Sequence, residues 1–238
     1  MRLLQPLAFL CLLSALVTQG VDCEPVLATV YYEAKCPYSR DFVVQQLLPA
    51  VLRDPELIRP VLVPFGKANV SATPEGYDFT CQHGPTECLG NRLHACGIAL
   101  ASSHTLQVSY AACLISDYTD VQAAAQECAD ELGLPFSTIS ECANGTAGSE
   151  LMRAYGNTTK DLSPPLTSVP TVTLNGNRGN QTAILHDFWE EVVKLSEETE
   201  TRSGSSRGGG RSVGAPLLLP LLLLPLLPFW GLLVRYEA

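Results

Sequence analysis

Cys36 is followed by Pro37, Tyr38 and Ser39 and preceded by the β-branched and aromatic run Val26 to Glu33. A cysteine where a strand hands over to a helix faces the unpaired N–H groups of the first helical turn, which favour thiolate over thiol. Thiolate is the form that attacks a disulfide and makes a mixed disulfide. Cys36 is therefore read as an exposed nucleophilic thiol. Ser39 stands where a two-cysteine exchange site carries the second sulfur that resolves the mixed disulfide. A serine hydroxyl is too weakly acidic for that attack, but it can cap the helix and hydrogen-bond the sulfur of Cys36. Completion then needs another thiol: glutathione, free cysteine, a substrate thiol, or a nearby residue such as Cys23. No cofactor is implied beyond such a small thiol. The competing reading makes Cys36 half of an ordinary disulfide with Cys23.

The elements that must position this thiol are legible around it. Val26 to Glu33 has strand composition, Ser39 to Leu52 repeats its apolar residues at helical spacing with a kink expected at Pro49, and Ile58 to Phe65 is a second strand parallel to the first. Strand, helix and parallel strand make a βαβ unit. Residues 69–163 hold six cysteines, Cys81, Cys88, Cys96, Cys113, Cys128 and Cys142, and alanine-rich helical stretches at 88–102, 107–112 and 121–132. This segment reads as a helical insert stapled by disulfides of unknown pairing. Thr171 to Leu174 is a strand ending in the hairpin signal Asn175-Gly176, and Ala183 to Leu195, with Ile184, Phe188, Val192 and Leu195 on one face, is a closing helix. The order matches the layout of an α/β, thioredoxin-like fold. In that layout Val169-Pro170, with a cis bond, lies across from Cys36 and presents backbone to an extended substrate.

Composition and the chain ends bound the setting. Met1-Arg2, the apolar run Leu7 to Val17 and the small-residue site Thr18-Gln19-Gly20 form a secretory leader over residues 1–20, whose removal takes Cys11 with it. Sequons at Asn69, Asn144, Asn157 and Asn180 fit a lumenal glycoprotein. A domain over residues 21–200 is followed by a polar Gly/Ser linker at 201–214 and a leucine-rich tail at 215–238. The tail reads as a glycolipid-anchor (GPI) signal or a spanning segment, its prolines weighing against a regular helix. Fifteen Lys and Arg against 24 Asp and Glu give a net charge of −9, which argues against nucleic acid as a partner.

The segment Cys81-Gln82-His83-Gly84-Pro85-Thr86-Glu87-Cys88, with Asn91 and Cys96 after it, resembles the Cys-Gln-His-Gly-x-x-Glu-Cys signature of the gamma-interferon-inducible lysosomal thiol reductase (GILT) family. The similarity continues through Ser140-Glu141-Cys142-Ala143, Leu151-Met152 and Pro164-Pro165 ahead of Val169-Pro170, and covers about residues 26–195. It implies a thioredoxin-like fold with a helical insert and reduction of protein disulfides in endosomes or lysosomes. The family nucleophile falls on Cys36 and its resolving cysteine on Ser39. The hydrophobic tail, unlike the soluble lysosomal pattern, adds the outer face of the plasma membrane as a destination. Two function classes emerge: a one-thiol oxidoreductase acting on protein disulfides, or an inactive membrane-anchored binding protein on the same scaffold. A zinc set of Cys81, His83, Cys88 and Cys96 matches no common ligand spacing, so no metal is expected. An acid–base role for His83 beside the thiol is a further expectation.

Overall fold

A computed structural model describes residues 24–117 and 119–207. The leader, Cys23 and the tail at 215–238 lie outside the described residues. Strand β1 (Val26–Tyr32) is the centre of a three-stranded sheet ordered β2-β1-β5. Strand β2 (Ile58–Pro64) lies parallel to β1, with Val26 opposite Ile58, and β5 (Thr171–Leu174) lies antiparallel, with Tyr31 opposite Thr171. The parallel β1–β2 pair requires a crossover, and the helical stretch at 37–53 supplies it. Strand β2 is an edge strand among the described residues and carries Pro60 and Pro64, a residue type that sheets tolerate at edges.

The crossover is not a kinked single helix. Helix α1 (Pro37–Phe42) runs into a π-helical turn (Val43–Leu47) and then α2 (Leu48–Arg53). The Leu48 N–H reaches back five residues to the Val43 carbonyl. Pro49 has no N–H and its ring crowds the carbonyl four residues before it; widening the preceding turn by one residue accommodates both.

The main core lies between the sheet and its helices. Val26, Ala28, Val30 and Tyr32 alternate inward along β1 and meet Phe42, Val43, Leu47, Val172, Ile184, Phe188 and Val192. Phe42 and Phe188 pack edge to face with centroids 5.4 Å apart, a geometry worth about 1 kcal/mol beyond burial. The closing helix is broken at Asp187 into α8 (Gln181–His186) and α9 (Phe188–Arg207). Asn180 caps α8 by accepting from the Ala183 N–H. Helix α9 continues through residues 201–207, where the sequence suggests linker, because extending an established helix costs far less than starting one.

The insert differs from expectation at its start. It opens with an antiparallel hairpin, β3 (Asn69–Thr73) and β4 (Gly76–Thr80), before the helices α3 (Pro85–Leu100), α4 (His104–Ser116), α5 (Val121–Glu131), α6 (Phe136–Asn144) and α7 (Thr146–Lys160). The hairpin's alternation is weak because most of its residues face solvent. The Asn175-Gly176 turn, by contrast, starts no second strand. Both residues have positive φ, 48° and 79°, and the turn closes through paired Leu174 and Asn177 hydrogen bonds. Asn175 instead extends the pairing with β1: its N–H donates to the Leu27 carbonyl and its side chain accepts from the Leu27 N–H.

Candidate thiol site

Cys36 occupies the N-cap position of α1, with Pro37 at the first helical position. Its N–H donates to the Glu33 carbonyl at 3.3 Å, and its carbonyl accepts from Arg40, so the chain turns sharply from strand end to helix. The sulfur is not the exposed group the sequence suggests: Cys36 is 6% exposed. The end of β1 packs beneath the Val169-Pro170 segment, and the thiol contacts the Val169 carbonyl at 3.7 Å. Access runs through a cavity of about 290 Å³ lined by Glu33, Cys36, Tyr38, Lys67, Gln82, His83 and Val169, among others. Tyr38, 75% exposed, also lines an adjoining cavity of about 350 Å³ that contains Pro170. The Val169–Pro170 bond is cis, as expected, and so is Ser163–Pro164.

Ser39 is wholly buried beneath the turn, and its hydroxyl accepts from the Glu33 N–H at 3.5 Å. The hydrogen bond expected with the Cys36 sulfur is replaced by this backbone contact, because the serine points back to the strand end rather than out to the cavity.

The signature segment folds on itself at the start of α3. Cys81 and Cys88 form a disulfide, Gly84 takes φ 83° at the N-cap, and Glu87, in the first turn, accepts from the His83 N–H at 3.0 Å and pairs with His83 Nδ1. Both bonds clamp the residue before the N-cap to the third residue of the helix, while Gly84 itself offers no side chain to cap it. The clamp brings Gln82 and His83 to the thiol cavity. Asn91, one turn further on, accepts from the Ala34 N–H at 2.9 Å, and a side chain on Gly90 would come within 2.9 Å of Ala34. Helix α3 therefore lies directly against the turn that presents Cys36.

Two more disulfides, Cys96–Cys142 and Cys113–Cys128, sit within the insert, and Cys36 is the free cysteine among the described residues. The sulfurs of Cys81, Cys88 and Cys96 are thus engaged, which removes them as a zinc set. Glu33, His83 and Glu87 bring one oxygen, one nitrogen and one oxygen within 4.8 Å of one another. His83 and Glu87 are paired with each other, and Glu33 Oε2 lies 3.6 Å from His83 Nδ1. The four sequon asparagines, Asn69, Asn144, Asn157 and Asn180, are all exposed.

Glu33 and Lys67 belong to the same cavity wall, with Gly66 packed against the Glu33 side chain, and sequence reasoning passed over them. The available signal was a charged residue just past an otherwise apolar strand, with a glycine just past the neighbouring one. Glu33 is completely buried, its Oε1 accepting from the Lys67 N–H at 2.7 Å. Burial raises its carboxyl above the usual range; the Lys67 N–H bond opposes this, Glu87 adds to it, and the Lys67 charge and His83 oppose it.

A family model described as gamma interferon inducible lysosomal thiol reductase matches residues 27–132. GILT-like protein 1 of Drosophila melanogaster is 38% identical over 186 residues, covering 71% of this chain and 74% of that protein. The gamma-interferon-inducible lysosomal thiol reductase-like protein of Anopheles gambiae is 35% identical over 199 residues, covering 79% of this chain and 78% of that protein. Among solved structures, DsbA of Chlamydia trachomatis superposes with a TM-score of 0.53 at 10% identity, covering 76% of this chain and 90% of that one. MdbA, a thiol-disulfide oxidoreductase of Actinomyces oris, gives 0.51 at 12% identity, covering 76% and 83%. These structures share the thioredoxin-like fold seen around β1. With the signature clamp and the thiol turn in place and relatives of this extent, the chain belongs to the gamma-interferon-inducible lysosomal thiol reductase family.

Proposed function

We propose that this protein is a thiol–disulfide oxidoreductase that acts on protein disulfides through the single sulfur of Cys36. The observation that carries the reading is the position of that sulfur: uncrosslinked among the described residues, at the start of a helix, 3.7 Å from the Val169 carbonyl and lining a cavity of about 290 Å³. The thiolate attacks one sulfur of a substrate disulfide, forming a mixed disulfide and releasing the other sulfur as a thiolate. An external small thiol then attacks the substrate sulfur of the mixed disulfide, which returns the Cys36 thiolate and leaves the substrate joined to the small thiol. A second small thiol completes reduction. Val169-Pro170 docks the backbone of the substrate. Ser39 holds the strand end and resolves nothing. The family, the three disulfides and the exposed sequons support work in the secretory or endolysosomal pathway, or at the outer cell surface if the hydrophobic tail anchors the chain. Among the described residues no helix is long and apolar enough to cross a membrane.

The buried serine at the resolving position favours a second reading, a binding protein that keeps the fold without turnover. Reduction of a denatured disulfide substrate with added glutathione, at acidic and neutral pH, separates the two. Activity in the unaltered protein that disappears in Cys36→Ser supports the enzyme. No activity in the unaltered protein, with a gain only in Ser39→Cys, supports the binding protein.

A further inference from the structure

Thiol–disulfide exchange releases a thiolate, and the higher the pKa of the departing thiol the more slowly it leaves, so an acid placed to protonate an alkyl leaving sulfur speeds the step. Four observations single out one side chain in the cavity for that task. The Glu33 side chain is 1% exposed, yet it lines the same cavity as the Cys36 sulfur. Its two oxygens are treated differently: Oε1 is held by the Lys67 N–H, while Oε2 has no hydrogen-bond partner among the described residues. His83 Nδ1 lies 3.6 Å from that oxygen but directs its hydrogen bond to Glu87. The place is also built for the carboxyl. Gly66 takes φ 59°, and a Cβ there would fall 2.2 Å from Glu33 Cγ, so the glycine is the gap that the side chain fills.

An ionised carboxylate with one buried oxygen unpaired is costly, whereas a protonated one carries its hydrogen on that oxygen. The groups facing Glu33 are Lys67 from the turn after β2 and His83 and Glu87 from the start of α3, with Cys36 across the cavity. Ser39 fixes the backbone from below through the Glu33 N–H.

We infer that Glu33 is the proton-exchange group of the thiol site, giving its Oε2 proton to the departing substrate sulfur and recovering one from the incoming small thiol. The inference rests on the exchange reaction proposed above. In the first half-step the Cys36–substrate S–S bond forms, the substrate S–S bond breaks, and the leaving sulfur takes the electron pair and the Glu33 proton. In the second, the small thiol gives its proton to the Glu33 carboxylate, its sulfur attacks the substrate sulfur of the mixed disulfide, and Cys36 departs as thiolate. One substrate sulfur has left as a thiol and the other leaves joined to the small thiol, a second small thiol completes the reduction as above, and Glu33 ends as it began. Serine at the resolving position fits this assignment, since its hydroxyl braces the acid instead of competing for the mixed disulfide.

The test compares two symmetrical disulfides in single-turnover formation of the Cys36 mixed disulfide, followed by mass: 5,5′-dithiobis(2-nitrobenzoate), whose leaving thiol is acidic, and bis(2-hydroxyethyl) disulfide, whose leaving thiol is not. In Glu33→Gln the alkyl-to-aryl rate ratio is expected to drop about 100-fold, the lower end of the general-acid range. In the unaltered protein the same ratio falls as pH rises through the Glu33 ionisation, because the donor is lost while the Cys36 contribution cancels. An unchanged ratio in Glu33→Gln, or a ratio independent of pH, overturns the inference. The aryl disulfide needs no proton donor, so failure of the unaltered protein to react with either compound overturns the exchange reading as well, and is distinguishable from failure of the Glu33 role alone.

Discussion

The sheet region and the insert hold themselves together by different means. Around β1 a single apolar cluster of large side chains, among them Tyr32, Leu47, Ile58 and Phe188, supplies the cohesion, and no disulfide appears there among the described residues. In the insert the second cluster mixes large side chains, Leu93, Tyr110, Leu114 and Ile139, with the small residues Ala124, Ala125, Ala129 and Ala143, and two disulfides run through it. Alanine buries little area, so helices faced with it gain little from packing. Cross-links that restrict the unfolded chain make up the difference, by about 4 kcal/mol for the 46-residue separation of Cys96–Cys142 and about 3 kcal/mol for the 15 residues of Cys113–Cys128. The division puts two of the three disulfides among the helices of the insert, while the third, Cys81–Cys88, brackets residues that line the cavity of Cys36, which is itself uncrosslinked among the described residues.

The largest expected effect sharpens this division. Replacing Cys96 and Cys142 together by alanine should lower stability by about 4 kcal/mol in urea denaturation, while the rate at which iodoacetamide alkylates Cys36 in the folded protein stays as it was. A changed alkylation rate would show that the cross-link reaches the thiol.

Next in size is the contact between the two regions. His94 on α3 is buried against β1, with Nδ1 3.1 Å from the Tyr32 hydroxyl, and burial lowers its pKa from 6.5 to about 3. A histidine depressed in the folded state leaves stability intact above its unfolded value and removes it as pH falls toward the folded one. Stability should therefore drop by about 1.4 kcal/mol per pH unit below pH 6.5, or about 3 kcal/mol by pH 4.5. His94→Phe should flatten that slope. An equal slope in the variant would place the acid sensitivity elsewhere.

The smallest effect concerns Asn91. Asn91→Ala leaves the buried Ala34 N–H without its acceptor and should cost about 2 kcal/mol. Here the Cys36 alkylation rate is expected to change, since Ala34 lies in the thiol turn. If it does not, α3 supports the insert alone and the two regions are more separate than the contact suggests.

Much of this was legible in the sequence where a signal was local and strong. The apolar run of β1, the parallel partner at Ile58, the thiol between strand and helix, and the Cys81-to-Cys88 signature are dense patterns that tertiary packing had no reason to override. Pairing of the cysteines was not legible, because spacing does not reveal which helices lie side by side. The hairpin of β3 and β4 escaped because residues that face water leave weak alternation. Asn175-Gly176 gave a true turn and a false hairpin: the pair specifies its own backbone angles and leaves the conformation of the next residues open. Glu33 carried the least visible information of all, since its role depends on a glycine 33 positions away in the chain whose missing side chain makes its room.

The two prolines of β2 have a consequence for a protein whose family handles other polypeptides. Pro60 and Pro64 stand on a seven-residue margin of the sheet that pairs with β1 on one side only among the described residues. An unfolded chain seeking to lengthen the sheet there would meet two positions with no hydrogen to offer, and a third residue, Arg59, bearing charge. The flank nearest the crossover is thereby made unattractive to adventitious strands, so that a visiting polypeptide is left with the cleft beside the sulfur as the place to settle.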